Sequence, residues 1–326
     1  PYTDPNNPGE LTTPGIGRTD VWVFDATNPG TSLGGDAEAV LAFFGDSAGP
    51  LAVSDDGSEV YVAVFKSGNL TTALSEGLVC DGGAGAAPCT SVPGELQSPG
   101  GLPAPNSDSD GVVQRETGLI VGYDGAAWRD ELSRDWSNQV RFSLPDLDVF
   151  AIDADATVPA ELTSYAHVGT VNYAMAVNPA NDKLYVANTD ANNLVRFEGT
   201  RDPGDTTTTV RGNLHKARVT VIDPAGPSVT PRHINKHIDY SDPNPSQSVK
   251  DNSLSTPMGM AVSGDGQTLY LAAMGSGKVG VFDTSDLEDD CFVPNSACHI
   301  QLSGGGPTGV VLDETNDLLF VLTRFN

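Results

Sequence analysis

The sequence predicts an all-β chain: a β-propeller of four-stranded antiparallel blades, with about four blades in 326 residues. Three observations predict it. The first is a recurring hairpin. Met260 and Val262 precede Gly264-Asp265-Gly266, and Leu269-Tyr270-Leu271 follows. Asp and Gly suit a tight turn, because Asp bonds the backbone two residues on and Gly tolerates positive φ. The second observation is that this hairpin repeats around Val53/Tyr61, Val177/Tyr185, Val262/Tyr270 and Leu312/Phe320, with the aromatic always eight residues after the apolar residue. A fixed internal spacing kept this often marks a repeat architecture.

The third observation is a partner strand that ends in Asp. It reads Val21-Trp22-Val23-Phe24-Asp25, Val149-Phe150-Ala151-Ile152-Asp153, Val219-Thr220-Val221-Ile222-Asp223 and Val279-Gly280-Val281-Phe282-Asp283. A further strand follows each, around Val40–Phe44, Leu162–Val168, Val229–Ile234 and His299–Leu302. Hairpin, Asp strand and last strand make a unit of four, here called a to d. Radial repetition of such sheets is a propeller, and a β-sandwich is the alternative arrangement.

In chain order, residues 1–17 read as an extended Pro/Gly-rich arm. Strands c and d of a first blade follow at about 20–25 and 39–45. Blade two starts at Pro50. A long insertion, 70–146, separates its strands b and c. Blade three spans 173–235 and carries a shorter b–c insertion, near 198–216. A polar loop from His237 to Thr256 leads to blade four, which is compact. Blade five starts at Pro307 and supplies strands a and b. The whole of 1–326 reads as one propeller domain. Half-blades at both ends predict either further blades past Asn326 or a neighbouring chain that covers the open edges. A closed four-bladed ring is the alternative.

The formal net charge is −26, from 43 acids against 17 Lys and Arg. Phosphate binding needs clustered cations, so nucleic acid and anionic membranes are disfavoured partners. No apolar run approaches the roughly 18–20 residues of a membrane-spanning helix. The four cysteines form two close pairs, Cys80 with Cys89 and Cys291 with Cys298. Both pairs are expected to be disulfides, which places the chain in an oxidising compartment: secreted, periplasmic or cell-surface. Each closes a short loop, for about 2–3 kcal/mol at most.

Ala176-Val177-Asn178-Pro179 followed by Tyr185-Val186-Ala187-Asn188-Thr189 resembles the YVTN family of surface-layer and secreted bacterial propellers. Tyr270-Leu271-Ala272-Ala273 and Phe320-Val321-Leu322-Thr323 look like weaker copies. A narrower likeness is carried by Val210–His215, His233–Tyr240 and Leu322–Asn326. These are similar to secreted proteins in which the propeller precedes a cytochrome-c-type domain related to di-haem peroxidases. That resemblance implies a redox domain past Asn326. No C-x-x-C-H haem motif occurs in this chain.

The b–c and d–a connections of a propeller share one face, so the two insertions and the 237–256 loop emerge together. That face is the expected contact surface. Four of the five histidines map to it or its edge: His167, His215, His233 and His237. Imidazoles gathered there are candidate ligands for a transition metal, with surface or hydrogen-bonding histidine as the alternative. Asn106, Asp108 and Asp110, with Glu116 beyond, resemble the start of an oxygen-ligand calcium loop, an acidic turn being the alternative. Trp128 and Trp136 in the insertion are candidate interface anchors, or else caps packed within the insertion. No G-x-S-x-G, H-E-x-x-H or phosphate loop is present. The residues therefore point to a protein recognition or assembly module without chemistry of its own. A metal-dependent, lactonase-like hydrolase or an oxidoreductase component is the rival reading.

Overall fold

Tyr61, Tyr185 and Tyr270 lie mid-strand with β-branched and Leu neighbours, and such residues fit a pleated, buried surface. In the computed structural model, which describes residues 19–43, 45–90, 97–103, 118–140, 146–193, 214–240, 242 and 244–325, each forms the second strand of a blade. Blade two consists of β3 (Asp46–Val53), β4 (Glu59–Lys66), β8 (Val149–Asp153) and β9 (Ala160–Tyr165). Blade three consists of β10 (Val171–Val177), β11 (Leu184–Ala191), β12 (His215–Asp223) and β13 (Ser228–His233). Blade four consists of β14 (Pro257–Val262), β15 (Thr268–Ala273), β16 (Lys278–Asp283) and β17 (His299–Gln301). Every neighbouring pair within these blades is antiparallel. Two half-blades flank them: β1 (Thr19–Val23) with β2 (Ala39–Phe43), and β18 (Gly305–Asp313) with β19 (Leu318–Phe325).

The chain is thus a β-propeller arc. Blades two and three touch as one sheet through the single register pair Val171↔Lys66. The pair β1–β2 and the pair β18–β19 are separate two-stranded sheets, so no four-bladed ring closes among the described residues.

The repeated turns form as their residues dictate. Asp25, Asp153, Asp223 and Asp283 each accept, through Oδ1, the backbone N–H two residues on, at 2.8–3.0 Å. In blade four the capped turn continues into a short helix, Thr284–Glu288, because Asp283 Oδ1 also accepts from Asp286 N–H at 3.1 Å. At the a–b turns Gly57 and Gly266 take φ of +77° and +73°. Asp56 and Asp265 close these turns from Ser58 and Gln267 N–H.

The core lies between blades. One cluster joins Tyr61 to Met175 and Val177, and another joins Tyr185 to Met260 and Val262. Polar bonds stitch the same seams. Asn178 Nδ2 donates to Tyr185 Oη at 2.9 Å and to Gly266 O at 3.0 Å. Tyr185 Oη donates to Glu288 Oε1 at 2.5 Å, and Lys183 Nζ donates to Glu288 Oε2 at 2.5 Å. These donors hold the Glu288 carboxyl below its ordinary value against the opposing effect of burial.

Between β4 and β8 stands a separate three-stranded sheet: β5 (Thr71–Leu74), β6 (Leu119–Tyr123) and β7 (Trp128–Arg129). It has its own core of Leu74, Val79, Leu102, Leu119, Val121 and Trp136. Trp136 is fully buried there, and its Nε1 donates to Asp130 Oδ2 at 3.0 Å. It is an interior anchor of the insertion and not an interface residue, because its ring fills that core. Trp128 is half-buried, packs on the same core and lies 5.4 Å from the Tyr123 ring.

Cys80 and Cys89 form a disulfide with Cα atoms 5.9 Å apart. Cys291 and Cys298 do not pair; both are exposed free thiols, which corrects the expected second disulfide. The local bonding explains it. The Cys291 N–H bonds Asp286 O at 2.9 Å, and its Sγ donates to Asp286 Oδ1 at 3.2 Å. Cys298 ends a 3-10 turn, Ser296–Cys298, capped by Asn295. Each thiol is held by its own turn.

Candidate functional site: a polar cleft between blades two and three

In a strand, residues two apart share a face. Asp146 and Asp148 lead into β8, and Lys216 and Arg218 open β12. The antiparallel order brings these strand starts beside the ends of β4 and β11, on the face that carries the b–c and d–a connections. A cleft of about 370 Å³ opens there, with Asn69, Asp146, His167, Asp190, Lys216 and Arg218 among its lining residues.

Arg218 organises the cleft wall. Its Nη1 lies 3.0 Å from Asp190 Oδ2, its Nε donates to Asn188 Oδ1 at 3.2 Å, and its Nη2 donates to Val168 O at 2.8 Å. Burial pulls the guanidinium below its ordinary value, and Asp190 is the first of the acids that oppose this. Asp148 is fully buried behind the wall, with Oδ2 accepting from Val168 N–H at 2.6 Å. Burial pushes its carboxyl up to about 8, opposed by hydrogen bonds from Ser67 and the backbone and reinforced by the nearby Asp146.

His167 takes φ of +63°, a left-handed conformation that is uncommon for a side-chain-bearing residue. Asp146 holds it there, with Oδ1 accepting the His167 N–H at 3.2 Å and Oδ2 lying 2.5 Å from Nδ1. At the opposite rim, Lys216 Nζ sits 3.1 Å above the Tyr240 ring. Tyr240 Oη in turn bonds His233 Nε2 at 3.0 Å, while His233 Nδ1 bonds Ala217 O at 3.0 Å. Burial lowers the His233 imidazole below its usual value. The insertion is tied to the same rim, where Asn69 Nδ2 donates to Ala191 O at 2.8 Å and Asn193 Nδ2 to Thr71 Oγ1 at 3.1 Å.

The four expected histidines do not converge on a metal. His167 is engaged by Asp146, His233 by Ala217 and Tyr240, and His237 Nε2 by Val249 O at 3.0 Å; His215 is exposed at the start of β12. Among the described residues no group of three or more His, Cys, Asp or Glu is placed to hold a metal ion. Asn106, Asp108, Asp110 and Glu116 lie outside the described residues, as does most of the 198–216 segment. The 237–256 loop contains a short helix, Gln247–Asn252, capped by Ser246. Asn235 ties that loop to blade three through bonds with Leu254 O at 2.6 Å and Leu254 N–H at 2.8 Å.

Of the residues that line or back this cleft, sequence reasoning named His167, as a metal-ligand candidate, and did not name Asp148, Asp190, Lys216 or Arg218. The signal was present in two i, i+2 charged pairs, Asp146 and Asp148 just ahead of β8 and Lys216 and Arg218 in the first residues of β12. Chemically, the wall's charges are mostly paired with one another, and its rim is rich in amide and hydroxyl groups. That suits hydrogen-bonded recognition of a polar surface.

No protein family and no curated protein matches the chain. Its backbone is similar to solved structures at low identity. Hydrazine synthase of Kuenenia stuttgartiensis is 14% identical, with 90% of this chain and 88% of that chain covered, at a TM-score of 0.35. The Cps50 (Swd1) β-propeller domain of Myceliophteria thermophila is 10% identical over 94% of this chain and 56% of that one, at 0.40. The periplasmic gluconolactonase of Pseudomonas aeruginosa is 11% identical over 91% and 55%, at 0.36. The chain spans little more than half the length of the latter two.

Proposed function

We propose that this propeller is a protein recognition or assembly module that engages its partner at the face carrying the b–c and d–a loops. The observation that carries the reading is the cleft between blades two and three. Arg218, Asp190, Asp146 and His167 fix its walls, and the insertion sheet stands at its rim. A prebuilt wall of this kind loses little entropy on binding. The Cys80–Cys89 disulfide supports residence in an oxidising compartment, secreted or at a cell surface. The YVTN-like segment Tyr185–Thr189 supports the same placement. No described helix is long and apolar enough to cross a membrane.

The test is affinity capture from the extracytoplasmic fraction of the producing cell, read by mass spectrometry. Three baits are compared: the wild-type chain, Asn193→Arg at the cleft mouth, and Asp55→Arg at an a–b turn on the opposite face. The proposal expects a partner retained by the wild type and Asp55→Arg and lost with Asn193→Arg. Capture that survives Asn193→Arg, or that is lost with Asp55→Arg alone, would overturn it.

A further inference from the structure

Segments far apart in sequence meet in the cleft. Asn69 and Thr71 come from the insertion, Asp190 and Asn193 from the end of β11 and just past it, and Lys216 and Arg218 from the start of β12. The lining is electrically balanced. Its two carboxylates, Asp146 and Asp190, are matched in number by two cations, Lys216 and Arg218. The whole chain carries −26, so this balance is local. Among the described residues, Ala191 and Pro231 are the apolar side chains of the lining.

Intramolecular bonds fix this lining without exhausting it. Arg218 uses three of its five N–H groups on Asp190, Asn188 and the Val168 carbonyl, which leaves one on each Nη. Lys216 Nζ rests on the Tyr240 ring and bonds no oxygen among the described residues. Two acceptors are also left over. Asp190 engages Arg218 through Oδ2, so Oδ1 is free among the described residues, and the side chain is 29% exposed. Asn193 donates Nδ2 to Thr71 Oγ1, which leaves its Oδ1 to accept. The bonds run on from Thr71 Oγ1 to Asn69 Oδ1 and from Asn69 Nδ2 to Ala191 O, so the amide rim is held in place.

Charge and bonding capacity together select the ligand. A free anion would meet Asp146 and Asp190, and a free cation would meet Lys216 and Arg218. An apolar group would strand the donors and acceptors alike. A hydroxyl both donates and accepts, so it satisfies either kind of group. Carboxylate, guanidinium and amide are planar, and each offers two atoms in a fixed plane to a pair of adjacent hydroxyls. An extended peptide also donates and accepts, but it docks on an unpaired strand edge. The wall strands β11 and β12 are paired on both sides. We infer that the cleft holds a neutral saccharide of one or two rings, with Lys216 and Arg218 donating to its hydroxyls and Asp190 and Asn193 accepting from them. The cavity of about 370 Å³ lies at the small end of ligand sites, which span roughly 300–1,000 Å³. With so little apolar lining, binding comes from hydrogen bonds and is weak. The inference rests on the reading of this cleft as a recognition site and names the chemistry recognised there.

The test is saturation-transfer NMR on the full 326-residue chain, with maltose, lactose, mannobiose and diacetylchitobiose as probes. Sodium succinate, putrescine and trialanine are the anionic, cationic and peptide comparisons. Transfer is expected to at least one saccharide and to none of the comparisons. Titration of the best saccharide should give a dissociation constant raised about tenfold in Lys216→Met, which loses a charged donor, and about threefold in Asn193→Ala. Asp55→Arg, on the opposite face, should leave it unchanged, and circular dichroism checks that each variant folds. Transfer to no saccharide would overturn the inference. So would equal transfer to any comparison, or a saccharide affinity that both cleft variants leave intact. These measurements need no partner, so their failure leaves partner capture at the cleft unaffected, and loss of capture leaves them unaffected in turn. Adding the best saccharide during capture distinguishes its source: release of the partner places the sugar on the partner's glycan, and retention makes it a free saccharide.

Discussion

Arg218 Nη1 lies 3.0 Å from Asp190 Oδ2 and joins the first residues of β12 to the last residues of β11 at the cleft wall. The same guanidinium bonds Asn188 and the Val168 carbonyl, so it fixes the loop that bears His167. Arg218→Met keeps the apolar stem and removes all three bonds. The expected loss is about 2–3 kcal/mol, because bonds to a charged donor are strong and Asn188 Oδ1 loses its donor, while Val168 O keeps the Thr220 hydroxyl at 2.8 Å. Urea denaturation measures it.

Asp148 makes stability depend on pH with a defined sign. Its folded carboxyl is pushed up to about 8 from an unfolded value of 3.8. Between these values the folded state holds a proton that the unfolded chain has released, so stability falls as pH rises through that window. The contribution is fully present below the unfolded value and is lost once the pH passes the folded one. Asp148→Asn removes the titration while retaining an acceptor for the Val168 N–H. The variant should therefore show a flatter melting temperature between pH 5 and pH 8, values chosen to bracket most of the window, and should exceed the wild type at the upper end. Thermal melts across that range check this.

Trp136 carries the insertion's own core. Trp136→Ala leaves a large cavity and removes the indole donor from Asp130 Oδ2, which keeps Arg134 Nε, a loss of roughly 3–5 kcal/mol. The damage should stay local. Hydrogen exchange should speed up at 71–74 and 119–123 while amides of β15 keep their protection.

The blades were legible because their signals are local. The terminal Asp of each c strand caps its own turn, and the aromatic at Tyr61, Tyr185, Tyr270 and Phe320 fixes the register of strand b. The cleft was less legible, since Asp148 and Arg218 acquire their roles only when blades two and three are brought together. The insertion sheet was hidden for a related reason. Its strands β5 and β6 pair Leu74 with Leu119 across a long stretch of sequence, which no short window reveals. Trp136 looked like an anchor for a partner because sequence shows a large ring and not what covers it. Cys291 and Cys298 looked like a bridge because sequence shows spacing but not the separate turns that hold each thiol.

Gly266 tests the seam between blades three and four. It takes φ of +73°, and an added Cβ would clash with Asn178 Oδ1 and Ala180 Cβ. Gly266→Ala combines left-handed strain with a clash and should cost about 2–3 kcal/mol. Gly57 has a similar φ, but nothing lies within 4 Å of its Cβ position. Gly57→Ala should therefore cost only the backbone term, about 1 kcal/mol. Comparing the two by urea denaturation separates packing from conformation.

The most direct test of the recognition reading is hydrogen exchange of the chain with and without its captured partner. Protection on binding is predicted at 68–71, 190–193 and 214–218, the segments that frame the cleft. Protection confined to the a–b turns at 54–58, 178–182 and 263–267, with the cleft segments unchanged, would contradict the account.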